Sequence, residues 1–493
     1  MLEQNRKAIA GLQPEAVWHH FAELASRPRP SGEEAAVRDY VTGWAEEKGF
    51  GWQRDEVGNV VVAIPGKGRG VSAPVVVIQG HLDMVCEKNN SVFHDFSVDP
   101  IQLVRKGERV FGNQTTLGAD NGIGVALGLA AGEGLYADHP PLELLLTVDE
   151  ETGMSGAREL KGTLLTGRRM INLDAEEEGT LYVGCAGGLD TLVSVPLERE
   201  LLDPKEDWVT FQLELGGLRG GHSGLDIGLN RGTAIRLMAQ WLVAHQSWVR
   251  LVHFTGGSKR NAIPREASAR VVVKAADRAR FHSGIEMASE WFARLHGDSE
   301  GPISLQAEAI APEVDPLTET TTGRLLDFLC LVPHGISSLS QTIAGLVETS
   351  NNLGVLEMEG DAGTIILCSR SSNQAALDEI TLRITRLAER CGLSWKHHGG
   401  YPGWQPNARS EMLRITRRVF RELAGGKEPE VTAIHAGLEC GLLGAVVPGM
   451  DMIAFGPDIQ DAHSPDESVS IASVGVVAEQ VRALLLALCD GAN

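Results

Sequence analysis

Short apolar runs of strand length, separated by helical stretches, occupy both ends of this chain but not its middle. Val60–Ile64, Pro74–Gln79, Leu142–Val148 and Met170–Leu173 each read as a buried strand. The small-residue stretch Asn121–Ala131, between two of them, reads as a helix. Ser31-Gly32-Glu33-Glu34 reads as a capping box that opens a helix running to about Gly49. After about residue 400 the same style returns, with a helix, strands at Val431–Ile434 and Met452–Phe455, and a last helix from about Ser470. Strands alternating with helices require a mostly parallel sheet covered on both faces.

The stretch between has another character. Trp208–Leu215, Arg250–Phe254 and Ala267–Ala275 pattern as half-exposed strands, with helices at about Arg231–Gln246 and Arg280–Leu295. Val355–Met358 and Thr364–Cys368, joined by Glu359-Gly360-Asp361-Ala362-Gly363, read as a hairpin, and Gln374–Arg390 reads as a long helix. The 493 residues exceed what one core sustains, which is about 250–300 residues. The expected architecture is therefore an α/β domain made of residues 1–188 and 400–493, interrupted by an inserted α+β domain of residues 189–399 with an antiparallel sheet.

Charge and cysteine usage narrow the partners. Lys and Arg number 44 against 65 Asp and Glu, a formal charge of -21. Nucleic acid and anionic membrane both need a basic footprint, so neither is expected as a partner. The opening MLEQNRKAIAGLQPEAVWHHF has no apolar core of a signal peptide. No run approaches about 18 uninterrupted apolar residues, so no span is expected. Cys86, Cys185, Cys330, Cys368, Cys391, Cys440 and Cys489 are scattered and never form a CxxC pair. That suits reduced, mostly buried thiols and a cytoplasmic location.

Polar residues recur where the apolar strands end. VVVIQG runs into His81-Leu82-Asp83, LELLLTV into Asp149-Glu150-Glu151, and MINL into Asp174. Ligands of open α/β sheets bind outside the carboxyl ends of the strands, so these groups can converge on one crevice. Asp120 joins them from the Gly-rich TTLGADNGIG. Imidazole and carboxylate together are a ligand set for a divalent metal such as zinc. A pair of ions about 3.5–4 Å apart needs a shared carboxylate. A lone His-x-Asp is more often a solvated or capped pair, and Glu-Glu a surface pair; three such groups after three buried strands are harder to dismiss.

The segments GHLDMVCEKN, LGADNGIGVA, TVDEETGMSGA, NLDAEEEG, LRGGHSGLDI and DAHSPDESVSI lie between residues 80 and 471. Through them the chain resembles the zinc-dependent exopeptidases that include carnosinases, bacterial dipeptidases, aminotripeptidases and aminoacylases, and most of all the dipeptidase branch. The resemblance implies a two-zinc catalytic domain with a lid and dimerisation domain inserted into it. It implies hydrolysis of unblocked L-dipeptides, Xaa-His types included, in a cytoplasmic homodimer. Two Zn²⁺ ions per subunit are implied, with Co or Mn able to substitute.

On that pattern Asp120 matches the carboxylate bridging the ions, His81 and Asp174 the ligands of one, and Glu151 and His463 those of the other. Asp83 matches the carboxylate that orients His81, and Glu150 the general base. His222 matches the stabiliser of the oxyanion, acting within its subunit or across a dimer. Asn261 and Arg370 match substrate-holding positions, and Arg suits a terminal carboxylate because its fork binds both oxygens. The Asp120–Asn121 peptide is expected to be cis.

Without the resemblance, His222 and Asn261 read as turn residues and Arg370 as a surface ion-pair residue. His435, in AIHAGLECGLLG, reads as a pocket-lining or a hydrogen-bonded structural residue. His19-His20 and His397-His398 read as structural or solvated. The competing functions are an amidase or deacetylase of N-acyl amino acids with the same ligands, and an inactive binding protein. The second is disfavoured because Glu150 and every ligand are present.

Overall fold

The apolar runs at the two chain ends meet in one eight-stranded sheet. In a computed structural model of the chain, residues 1–311 and 315–490 are described. They divide into two compact units, one of residues 1–184, 406–433 and 438 onward, the other of residues 185–405 and 434–437.

In the first unit the strand order is Gly51–Arg54, Val60–Ile64, Leu142–Thr147, Val76–His81, Arg169–Asn172, Asp451–Ala454, Thr180–Cys185, Glu430–Ile434. The four from Leu142–Thr147 to Asp451–Ala454 run parallel. Every residue of Val76–His81 and of Leu142–Thr147 is buried, which is why they read as continuous apolar runs rather than as an alternation. Parallel strands end on the same edge, so His81, Asp149 and Asp174 emerge side by side. The helix Ala119–Ala130 lies close to the strand Val76–His81 because its residues are small. A Cβ on Gly124 would stand 2.5 Å from the Leu173 carbonyl oxygen, so only glycine permits this approach next to Asp174.

The closing helix Ile471–Cys489 departs from expectation: by length and composition it could cross a membrane. Its Val474, Val477, Val481, Leu484 and Leu485 are buried within the first unit, as befits a core helix.

The second unit is a nine-stranded sheet in the order Ser304–Ile310, Trp208–Gly216, Ala267–Lys274, Val249–Gly256, Val347–Glu359, Ala362–Ser371, Gly187–Pro196, Ser394–Tyr401, with Gly335–Leu339 pairing Val347–Glu359. All these pairs are antiparallel. Ala234–His245, Arg278–His296, Glu319–Leu331 and Gln374–Arg390 contribute to its core. The hairpin turn is tighter than the sequence suggests, Gly360-Asp361 alone, with Gly360 at φ 56.

Two imidazoles in this unit are withdrawn from water, His435 buried and His334 half-buried. His334 Nδ1 accepts the Leu353 N–H at 3.1 Å, and His435 Nε2 lies 2.7 Å from Ser350 Oγ. Burial, then nearby Arg236 for His334 and Arg370 for His435, pushes each down to about 3. The unfolded chain, at about 6.5, then binds more protons between pH 3 and 6.5. Stability is thus fully present above about pH 6.5 and falls on acidification, by up to about 1.4 kcal/mol per pH unit for each ring. Urea unfolding between pH 4 and 8 should show this slope, and His334→Gln should flatten it. An unchanged slope in that variant would remove His334 from the account.

Candidate metal centre

His81 is the last residue of its strand and Asp174 follows Arg169–Asn172 by two. Asp120 lies in the first turn of Ala119–Ala130 with non-helical torsions, and the Asp120–Asn121 peptide is cis, as expected from the sequence. His81 Nε2 lies 3.0 Å from Asp120 Oδ1 and 3.2 Å from Asp174 Oδ1. His463 Nε2 lies 3.1 Å from Asp120 Oδ2 and 3.2 Å from Glu151 Oε2. Asp120 therefore turns one oxygen to each histidine, and each histidine has a second carboxylate beside it.

The residues fit a pair of divalent cations. Ligand atoms about 2.0–2.1 Å from one tetrahedral ion stand roughly 3.3 Å apart, close to the separations seen here. Glu151 Oε1 is buried without a hydrogen-bond partner among the described residues, a costly state for a carboxylate oxygen that has no cation. The protonation energetics report the same excess of negative charge. Burial pushes Asp174 up to about 7, and burial with Asp174, Glu439 and Glu151 nearby raises Glu150 well above the carboxylate range. Hydrogen bonds to Asp120 and Glu151 push His463 up to about 11.

Asp83 does more than face His81 Nδ1, 3.3 Å away. Its oxygens accept the N–H groups of Glu150 at 3.0 Å and Glu151 at 3.1 Å, and the Ser31 hydroxyl at 2.7 Å. Burial opposes its charge, yet His81 and these donors hold it down to about 2. Glu34 Oε1 accepts the N–H of Asp149 at 3.0 Å and of Gly32 at 2.8 Å. The capping box expected at Ser31–Glu34 does not form: the helix Ala35–Lys48 starts with no side-chain cap. Glu34 holds the Asp149–Glu151 turn instead, where Asp149 sits at φ 55, and Ser31 reaches that turn only through Asp83.

Two acidic residues near the centre escaped the sequence reading. Glu176 brings a carboxylate oxygen within 4.8 Å of Asp120 and His463, and burial pushes it up to about 8. The available signal was its spacing, two residues past Asp174. Glu439, fully buried, accepts from Gln79 Nε2 at 2.7 Å and Thr147 Oγ1 at 2.6 Å.

In the second unit His222 lies on the short strand Gly221–His222 paired with Ala262–Ile263. Its Nδ1 accepts the N–H groups of Gly224 at 3.3 Å and Leu225 at 3.1 Å, so the proton resides on Nε2, which is a donor. Burial and Arg370 lower its pKa. Asn261 is exposed, and its carbonyl accepts the Ser223 N–H at 2.8 Å. Arg370 is buried rather than a surface residue, donates to Tyr401 OH at 3.1 Å, and makes no ion pair among the described residues. His435 is both hydrogen-bonded and near enough to Arg370 and His222 to feel their charge.

Known proteins carry the same arrangement of sequence and fold. The chain is 40% identical over 469 residues, 95% of its length and 96% of the other's, to the cytosol non-specific dipeptidase of Escherichia coli (strain K12). The crystal structure of aminoacylhistidine dipeptidase from Vibrio alginolyticus superposes with a TM-score of 0.91 at 39% identity, covering 97% of this chain and 98% of that one. Aminopeptidase PepT from Bacillus cereus shares the fold at a TM-score of 0.56 and 14% identity, covering 97% and 99% of the two chains. The pattern of Peptidase family M20/M25/M40 matches residues 77–487, and the chain belongs to that family.

Proposed function

We propose that this chain is a dipeptidase that hydrolyses unblocked L-dipeptides, Xaa-His types among them, with two divalent cations held by His81 and Asp174, by Glu151 and His463, and by Asp120 between them. The two-faced Asp120 is the observation that carries the reading. Zinc suits the mixed nitrogen and oxygen donors, and cobalt or manganese can replace it. When bound, the ions polarise the scissile carbonyl and make a water acidic enough to lose a proton near neutral pH.

The chain's own residues do the rest. Asp83 fixes the His81 ring and pins the main chain of Glu150 and Glu151. Glu150 takes a proton from the attacking water and returns it to the departing amine. The Nε2–H of His222 donates to the oxyanion, and Arg370, lacking an acidic partner of its own, takes the substrate's terminal carboxylate. Asn261 assists in holding the substrate. A lid role for the second unit, a homodimer through it, and a cytoplasmic location complete the proposal; the first two rest on the sequence resemblance alone, the last on the likeness to the cytosol non-specific dipeptidase.

Removal of metal by chelation should reduce hydrolysis to background, and zinc, cobalt or manganese should restore it. Full activity in exhaustively demetallated protein would end the metal reading. Metal-loaded protein should cleave free dipeptides and leave N-acetyl amino acids and N-blocked dipeptides intact. The opposite preference would favour an N-acyl amino acid hydrolase.

A further inference from the structure

Asp120 can serve two ions only if its backbone is held still, and two buried side chains outside the ligand set hold it. Glu467 follows His463 by four residues and is 2% exposed. One of its oxygens accepts the N–H groups of Leu117 at 2.7 Å and Gly118 at 2.9 Å. The other accepts those of Ala119 at 2.8 Å and Asp120 at 3.3 Å. Arg29, also 2% exposed, meets the same loop from its carbonyl side. Its Nη2 donates to Gly118 O, and its Nη1 to Leu82 O at 2.9 Å and Asp83 O at 2.7 Å.

The local sequence shows why outside help is needed. The helix Ala119–Ala130 has Gly118 at its N-cap position and no side-chain cap, so its first N–H groups require an acceptor. Glu467 supplies it from 350 residues along the chain. A buried carboxylate costs several kcal/mol unless donors converge on it, and four main-chain donors do so here. A capping side chain at the N-cap itself is excluded, because Gly118 sits at φ 68 and a Cβ there would stand 2.5 Å from Arg29 Nη2. What the distant glutamate adds is a rigid link between the segment bearing His463 and the segment bearing Asp120. Arg29 adds the matching link from Gly118 to the His81–Asp83 segment.

We infer that Glu467, with Arg29 opposite it, is a positioning residue for the metal pair: it joins the segments bearing His463, Asp120 and His81, three of the five that carry ligands, so that both ions bind to one preset frame. This rests on the two-ion reading above. Its removal weakens binding of both ions although it touches neither.

The test is cobalt(II) titration of metal-free protein, followed by absorption and by metal content, for wild type, Glu467→Gln and Arg29→Lys. In Glu467→Gln one acceptor oxygen becomes an NH₂ group that faces N–H donors. Both variants should bind cobalt about 10–100-fold more weakly, hold fewer than two ions at concentrations that fill wild type, and show an altered cobalt spectrum. At saturating metal kcat should fall with KM little changed. Arg29→Lys keeps the test decisive should Glu467→Gln fail to fold. Two ions bound with wild-type affinity and spectrum in a folded variant would overturn the inference and leave the two-ion reading intact. Fewer than two ions on wild type would instead remove that reading.

Discussion

Glu150→Ala should keep both ions and lose about 10²–10⁴ in kcat, the usual share of a general base, whereas its neighbour Glu151→Ala should lose metal as well as rate. The contrast follows from geometry. Glu151 Oε2 stands 3.2 Å from His463 Nε2, whereas Glu150 forms no ion pair with a histidine among the described residues, although one of its oxygens lies within 4.8 Å of His81 and Glu151. Their main-chain N–H groups are both fixed on Asp83, so truncating either side chain leaves the turn in place. Metal content measured beside kcat separates the two roles. Near-normal kcat in metal-replete Glu150→Ala would show that another group moves the proton.

Arg370→Ala should lower kcat/KM for a dipeptide by roughly 30- to several-thousand-fold, since removing one side of a buried charge pair costs about 2–5 kcal/mol. The matching dipeptide amide, which has no terminal carboxylate, should lose far less. Arg370 is buried and makes no ion pair among the described residues, a costly state that a substrate carboxylate would relieve. Binding energy from that remote group then positions the scissile carbonyl. His222→Ala should lower kcat with both substrates by about 10²–10³, because the oxyanion forms in either case. Equal losses for dipeptide and amide on Arg370→Ala would take Arg370 out of carboxylate recognition. Efficient cleavage of tripeptides by wild type would show that the second unit does not set substrate length.

The parallel strands of the first unit were legible because both faces of Val76–His81 and Leu142–Thr147 are buried, so apolar runs mark them. Gly51–Arg54, exposed throughout, carries no such run and went unread, as did Thr180–Cys185. The convergence of His81 and Asp174 was legible because parallel strands end together, which places both by the ends of their runs. Ser31 and Glu34 were misread because Ser-x-x-Glu serves a helix start and a distant turn equally well. Only the fold reveals that Asp83 and Asp149 are their partners. Arg29, Glu439 and Glu467 left no local signal: Glu439 meets Gln79 across 360 residues, and hydrophobic periodicity carries nothing about such pairs. Arg370 looked like a surface residue because a lone Arg in a polar stretch usually is one, and the strand Ala362–Ser371 buries it.

The interleaving of the first unit has a consequence for how the protein is made. The strand Asp451–Ala454 pairs in parallel with Arg169–Asn172, so an inner edge of the sheet stays open while about 280 further residues emerge, roughly 15–60 s at ordinary translation speed. Through that interval the second unit can fold on the ribosome, but the first exposes an unpaired apolar edge to its neighbours. His463 and Glu467 arrive later still, so a nascent chain has no finished cage for cations until residue 467 has emerged. Chains that stall before residue 451 are the ones most exposed to aggregation and chaperone capture.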